Sequence, residues 1–221
     1  MQLANQVKQL IKKEMLLEWR SKYALNGILL YVVSTVFVCY LSFVSIPNKL
    51  TWNALFWIIM LFASINAVAK SFLQESKGRH LYIYTLVSPS ALIIAKTIYN
   101  SLLMIGLTLV ALSFYCFVFS PPPATDILMY LVATILGSLS FATIFTMISA
   151  IAAKAGNGGM LMAILSFPVI IPMLIVLIKF AKNAIDGLDR SVNLDEIGLL
   201  LVINILVMAV SLLLFPYLWR D

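Results

Sequence analysis

The chain has one histidine, His80, and two cysteines, Cys39 and Cys116, and these exhaust its imidazole and thiol chemistry. An imidazole can act as a general base or a metal ligand near neutral pH. His80, however, follows Glu75-Ser76-Lys77-Gly78-Arg79 with no second His or Cys at ligand spacing, so neither a zinc-type cluster nor a catalytic dyad is written there. No Cys-x-x-Cys or Cys-x-x-Cys-His occurs, which argues against thiol redox catalysis and covalent haem attachment. Both thiols fall within apolar runs and read as small buried hydrophobes rather than as a disulfide. The glycine-rich stretch Lys154-Ala155-Gly156-Asn157-Gly158-Gly159 lacks the Lys-Ser/Thr ending of a phosphate-binding loop, and that pattern is absent elsewhere. The expectation is a chain with no catalytic residue, no metal site and no nucleotide-hydrolysing loop of its own.

The charged residues leave a pattern of gaps. Windows 23–48, 50–69, 97–125, 127–153, 155–178 and 197–219 contain no Asp, Glu, Lys or Arg. A helix needs about 20 apolar residues to cross a hydrocarbon core of ~30 Å, and every window reaches that length. The fold expected is all-α and polytopic, with spans at about 23–46, 52–72, 94–119, 127–153, 160–179 and 197–219. Ionisable groups near the midplane mark proton and ion relays. None is expected here, so the energy for any work should come from outside the membrane.

Fifteen cations and nine acids give a net charge of +6. Four cations, Lys49, Lys179, Lys182 and Arg190, fall on one side of the predicted spans and the other eleven on the opposite side. The cation-rich side is the cytosolic one, which places both termini in the cytosol. Because the cations flank spans, they should meet anionic lipid rather than nucleic acid. The first apolar run is too long for a cleaved signal peptide and is followed by a second span. Trp52 and Trp219 stand at predicted span ends, where indoles anchor in headgroups.

The segments between the spans carry the remaining information. From Met1 to Lys22, Leu3, Val7, Leu10 and Ile11 recur at helical spacing with Lys8 and Lys12 turned away, which predicts an amphipathic helix along the inner surface. It is either a passive anchor or a surface for a cytosolic partner. Glu18 and Lys22 form an i,i+4 pair leading into the first span. Segment 73–90 joins spans two and three. Its run Leu81-Tyr82-Ile83-Tyr84-Thr85-Leu86-Val87 is too short to cross a membrane and too apolar to leave in water, where each such side chain costs about 1.5–3 kcal/mol. A short helix is favoured, covered by a partner's groove, by the rest of the protein or by headgroups. In the first case Glu75, Arg79, Leu81, Tyr82 and Leu86 would be the docking residues.

Pro121-Pro122-Pro123 should make a rigid external turn between spans three and four. Span four carries Gly137, Ser138, Ser140, Ala142, Thr143, Thr146, Ser149 and Ala150, small and hydroxyl residues that let helices approach and bond to one another, so it should be central. Pro168 and Pro172 in span five each remove a backbone donor and are hinge candidates, a static kink being the simpler reading. External segment 180–196 should contain a short surface helix with a turn at Gly187 or near Asn193.

Three classes of function fit: the membrane half of an ATP-driven transporter, an ion-coupled carrier, and an intramembrane enzyme or assembly factor. The carrier lacks a midplane carboxylate and the enzyme lacks a nucleophile or metal cluster. At this point particular residues become recognisable. Leu17-Glu18-Trp19-Arg20, Trp57 to Phe62, Ser71-Phe72, Glu75, Gly78, Leu86, Ser88-Pro89, Lys96, and Ser166-Phe167-Pro168 through Pro172 resemble the CcmB family of cytochrome c maturation permeases, also called haem exporter protein B.

The resemblance extends over nearly the whole chain. It implies a bacterial inner-membrane, ABC-2-like subunit working with the ATPase CcmA and with CcmC and CcmD, in support of haem delivery to the periplasmic chaperone CcmE. Haem and ATP would then be handled by the complex. Haem iron is usually held by His, Met, Cys or Tyr; with no histidine on its predicted outer side, this chain should leave histidine ligation to a partner. A route for haem through the subunit itself stays open as an alternative.

Overall fold

The computed structural model describes residues 2–21, 23–43, 48–68, 70–73, 86–119, 122–154 and 158–220. Among these residues the chain is all-helical: α1 (Gln2–Ser21), α2 (Tyr23–Ser42), α3 (Lys49–Val68), α4 (Lys70–Leu73), α5 (Pro89–Phe119), α6 (Ile127–Lys154), α7 (Gly158–Asp186) and α8 (Asn193–Arg220). Helices α3, α5, α6, α7 and α8 are long and apolar enough to cross a membrane, and α2 adds the shorter apolar stretch Asn26–Ser42. The protein is a polytopic membrane protein.

Helix α6 is the hub of the bundle, packed against α3, α4, α5, α7 and α8. Its composition explains why. Ser138, Ser140, Ala142, Thr146, Ser149 and Ala150 are all buried, so neighbouring helices approach closely along these small residues while Phe141 and Phe145 fill the space between them. The hydroxyls mostly bond differently from the sequence expectation. Thr134, Ser138, Ser140 and Thr146 donate to the carbonyls of Tyr130, Thr134, Leu136 and Ala142 in their own helix at 2.5–2.9 Å, since the i−4 carbonyl is always within reach. One clear bridge to α8 is made by Asn204, which donates to Ser140 Oγ and accepts from Thr143 Oγ1, both at 2.7 Å.

Helix α3 buries Trp52, Asn53, Phe56, Trp57, Met60, Ala63 and Ser64, a stripe at helical period facing the bundle. Trp52 therefore departs from its expected place as a headgroup anchor. It is 4% exposed and meets Tyr115 edge-on at a ring separation of 4.8 Å. Cross-helix aromatic packing recovers more apolar area than the interface offers this indole. Cys39 and Cys116 are both free and half-buried.

Two helix boundaries differ from the sequence reading. Helix α5 starts at Pro89, where span three was expected from about residue 94. Ser88 is the cap: its Oγ accepts from the Ala91 N–H at 3.4 Å and its carbonyl from Leu92 N–H at 3.2 Å, with Pro89 at the first helical position, where a missing N–H costs nothing. The 31 residues of α5 extend about 46 Å, some 16 Å more than an ~30 Å hydrocarbon core.

The second difference lies in segment 180–196, which holds no separate surface helix. Phe180, Ala181, Ala184 and Ile185 are buried and prolong the apolar face of α7 to Asp186. Gly187 then stops the helix at φ +71°, with Leu188 N–H donating to Asn183 O at 3.1 Å, the bond pattern that closes a helix on a left-handed glycine. Only 187–192 connects α7 to α8.

At this end the Arg190 guanidinium bonds Asp126 Oδ2 at 2.7 Å, and Thr125 and Asp126 amides reach the carbonyls of Ile185 and Ala184 at 3.3 and 3.1 Å. The hydrogen bond from Arg190 holds the Asp126 carboxyl below its ordinary value. A depressed carboxylate contributes stability above its unfolded pKa and loses it as pH falls through the folded one. The protection of the Thr125 and Asp126 amides, taken relative to the intrinsic exchange rate at each pH, should therefore fall on acidification below the ordinary Asp range, and at high salt, because the pair is exposed and screened. Arg190→Ala should lower that protection and remove most of its dependence on acidification.

Candidate functional site

The predicted docking residues Glu75, Arg79, Leu81 and Tyr82 lie outside the described residues, as does His80. Leu86 is described and is 58% exposed. Both stubs of this segment are visible, and both are fastened. On the entry side, the Lys96 ammonium donates to the Ser71 carbonyl and sits 4.7 Å over the Phe72 ring. On the exit side, Ser88 Oγ bonds Gln6 Oε1 at 3.2 Å, and Val87 packs into the apolar cluster beneath.

That cluster explains where α1 goes. Leu10 is buried with Phe72, Ala91, Leu92, Ile93, Ala95, Ala150 and Phe215, and Val7 and Ile11 pack against them. Leu3, also expected on the apolar face, is exposed. The contacts of α1 on α5 advance together along both helices: Gln6 with Ser88, Glu14 with Lys96, Glu18 with Tyr99. Helix α1 thus runs lengthwise beside the first third of α5. Its Val7, Leu10 and Ile11 face is covered by protein, where the sequence left the choice between headgroups and a cytosolic partner.

The polar heart of the site is Lys96. It is 1% exposed, with Glu14 Oε1 at 3.7 Å. Next along the same face of α5, Asn100 Nδ2 donates to Ser71 Oγ at 3.1 Å and to Thr146 Oγ1 at 2.8 Å. A buried ammonium is tolerated only when paired and hydrogen-bonded, and here α1, α4 and the α4 ring of Phe72 supply those contacts. Lys96 and Asn100 therefore join α1, the end of α4, α5 and the central helix α6 in one hydrogen-bonded unit, with segment 74–85 attached at both edges.

The sequence reading passed over this group because Lys96 fell just outside a charge-free window and looked like a flanking cation. The available signal was Ser88-Pro89 read as a helix start, which puts Lys96 two turns inside a helix and hence against neighbours. The group is structural chemistry: hydrogen bonds, an ion pair and a cation over a ring. Among the described residues no group of three or more His, Cys, Asp or Glu is placed to hold a metal.

The proline pair sits elsewhere. Pro168 and Pro172 both lie on the exposed side of α7, which is helical from Gly158 to Asp186. Ser166 Oγ, two residues before Pro168, donates to the Met162 carbonyl at 2.5 Å. Neither proline belongs to the Lys96 group.

None of the curated proteins compared with the chain matches it. A family model described as CcmB protein matches residues 5–218, which takes in α1, the Lys96 group, the proline pair and nearly all of α8. Helices suited to crossing a membrane, packed around a small-residue hub, are what such a permease requires. The chain belongs to the CcmB family, and it is a multi-pass inner-membrane permease of the ABC transporter class with a general role in haem export and cytochrome c maturation.

Proposed function

We propose that this subunit converts ATP-driven motion of a separate ATPase, CcmA, into release or delivery at the opposite membrane face, where haem is passed to the chaperone CcmE with CcmC and CcmD as partners. In this reading both termini are cytosolic, in keeping with eleven of fifteen cations on that side. The chain brings no ATPase site of its own. Segment 73–90 is the part pushed by the ATPase, with Glu75, Arg79, Leu81, Tyr82 and Leu86 in its groove.

The observation that supports this reading is the anchoring of both stubs of the segment. Ser71 and Phe72 are held by Lys96, and Ser88 by Gln6. A push that reaches either stub is passed to α1, α5 and, through Asn100 and Thr146, to α6. Exposed Leu86 is a side chain whose cover a docked partner would provide.

The double change Tyr82→Asp and Leu86→Asp should abolish co-purification of the ATPase while leaving the amount and melting temperature of the permease within error of wild type. It places two carboxylates in an apolar contact, and each unpaired charge there is strongly disfavoured. Undiminished co-purification would assign the main contact to another surface.

A further inference from the structure

Among the described residues, five buried side-chain polar atoms have no hydrogen-bond partner in the protein, and four of them lie at one place: Asn183 Nδ2, Asn193 Nδ2, Asn193 Oδ1 and Glu196 Oε2. That place is where the end of α7 packs against the start of α8. Lys179 and Asn183 are one turn apart on α7, and Asn193 and Glu196 one turn apart on α8, so each pair shares a helix face. The two faces meet. The Lys179 ammonium donates to Glu196 Oε1 at 2.8 Å, and the Asn183 side chain stands beside the same carboxylate. Asn193 is 0% exposed, Glu196 2% and Asn183 7%. On the connector side the group is closed by Leu188 N–H on the Asn183 carbonyl and Asn193 N–H on that of Arg190. On the bundle side Leu177, Phe180 and Leu200 are fully buried and close it with apolar surface.

A buried polar atom that gives up its bonds to solvent and gains none in return is costly, and four such atoms at one junction call for an occupant. We infer that the α7–α8 junction is an internal hydration site, holding about two water molecules between Asn183, Asn193 and Glu196. The unpaired atoms decide the chemistry. A carboxylate oxygen and an amide oxygen are acceptors, and two amide nitrogens are donors, so the occupant has to donate and accept at once. Exchanging the oxygen and nitrogen of Asn193 leaves this requirement unchanged. A metal ion would serve the oxygens alone, leave both amide N–H groups unpaired and meet the Lys179 ammonium already bonded to the same carboxylate. An anion would face Glu196. Water both donates and accepts, and a buried water makes about three bonds to groups of this kind. More than one molecule is needed, because the oxygen and nitrogen of a single amide point apart and cannot share one. The ends of α7 and α8 are thereby joined through a hydrated polar contact, with the exposed side of Lys179 as its rim.

The test is X-ray radiolytic labelling of the full permease complex, in which a bound water split in place oxidises the side chains it touches even where bulk solvent does not reach. In wild type, Phe180, one turn from Asn183, and Leu200, one turn from Glu196, should be oxidised, whereas Phe141 and Phe145, equally buried on α6, should not. Asn193→Leu puts an apolar side chain where the waters bond and should remove the labelling of Phe180 and Leu200. Asn193→Ser keeps a donor and an acceptor and should retain it. Unlabelled Phe180 and Leu200 in wild type overturn the proposal whatever the variants do, and would mean that the amides and the carboxylate pair directly. Labelling of Phe141 and Phe145 to the same extent overturns it as general water penetration, and labelling that persists in folded Asn193→Leu places the water elsewhere. The melting temperature should be the same with calcium or magnesium ions as with EDTA. A rise on adding either ion that Glu196→Gln abolishes would make a cation the occupant and overturn the assignment to water.

Discussion

Replacing Lys96 with alanine should destabilise the protein by about 2–4 kcal/mol and abolish its part in cytochrome c maturation. Breaking a fully buried ion pair costs roughly 3–5 kcal/mol. The figure here is lower because the Glu14 side chain is 16% exposed and Lys13 lies 3.4 Å from its carboxylate. To the lost pair are added the Ser71 carbonyl left without its donor and the empty volume of three methylenes and the ammonium. Lys96→Met separates the two effects: it refills most of that volume and recovers part of the stability, yet it restores neither the Ser71 bond nor the pair with Glu14.

If the group transmits motion, Lys96→Met should accumulate in membranes near wild-type levels and still fail to support maturation of c-type cytochromes. Thermal melting of the purified permease and covalent haem staining of c-type cytochromes measure the two effects independently. Full maturation with Lys96→Met would reduce the group to a structural staple. A cycle with Glu14→Gln should show coupling well above the ~0.3–0.5 kcal/mol error of additivity, since the two side chains are in contact.

Gly137→Leu should prevent stable accumulation, and Gly137→Ala should lower stability by about 1–3 kcal/mol. A Cβ at this position would lie 2.9 Å from Leu177 Cδ2 and from two ring carbons of Trp57. Leu177 is buried and Trp57 is held in place by its Nε1 bond to Asn53 Oδ1 at 2.9 Å, so neither can step aside without disturbing α7 or α3. At Gly106, by contrast, a Cβ meets open space, and Gly106→Ala should leave the melting temperature of the purified permease within error of wild type. The comparison controls for helix propensity, which favours alanine over glycine by about 1 kcal/mol at both sites. A Gly137→Ala variant as stable as Gly106→Ala would show that α6 can shift away from α3 and α7.

Much of the architecture was legible from residue type and spacing, because bilayer physics imposes few choices. An uncharged run of sufficient length must be helical to satisfy its own backbone, and this accounts for α3 and α5 to α8. Small residues on α6 announced a packed helix, since close approach needs a thin side. The Leu10 face of α1 was equally plain from its period. Charge asymmetry and the absent phosphate-binding loop pointed to a permease whose energy comes from elsewhere, and the residues resembling CcmB named the family that the full-length match then established.

What the linear chain left open was decided by which side chains meet. Apolar period shows that a face is covered and not by what: α1 was assigned to the membrane surface and lies along α5, because Gln6, Glu14 and Glu18 each find a partner there. Trp52 had the placement of a headgroup anchor and became a core residue, because Tyr115 and Tyr130 arrive from other helices at that height. Lys96 was one flanking cation among many until Ser71, Phe72 and Glu14, distant in sequence, closed around it. Helical period and charge-free length are properties of one segment at a time and survive in the sequence. A buried ion pair and the hydrogen bonds around it are relations among several segments, which exist only once the packing of α1, α4, α5 and α6 brings those segments to the same place.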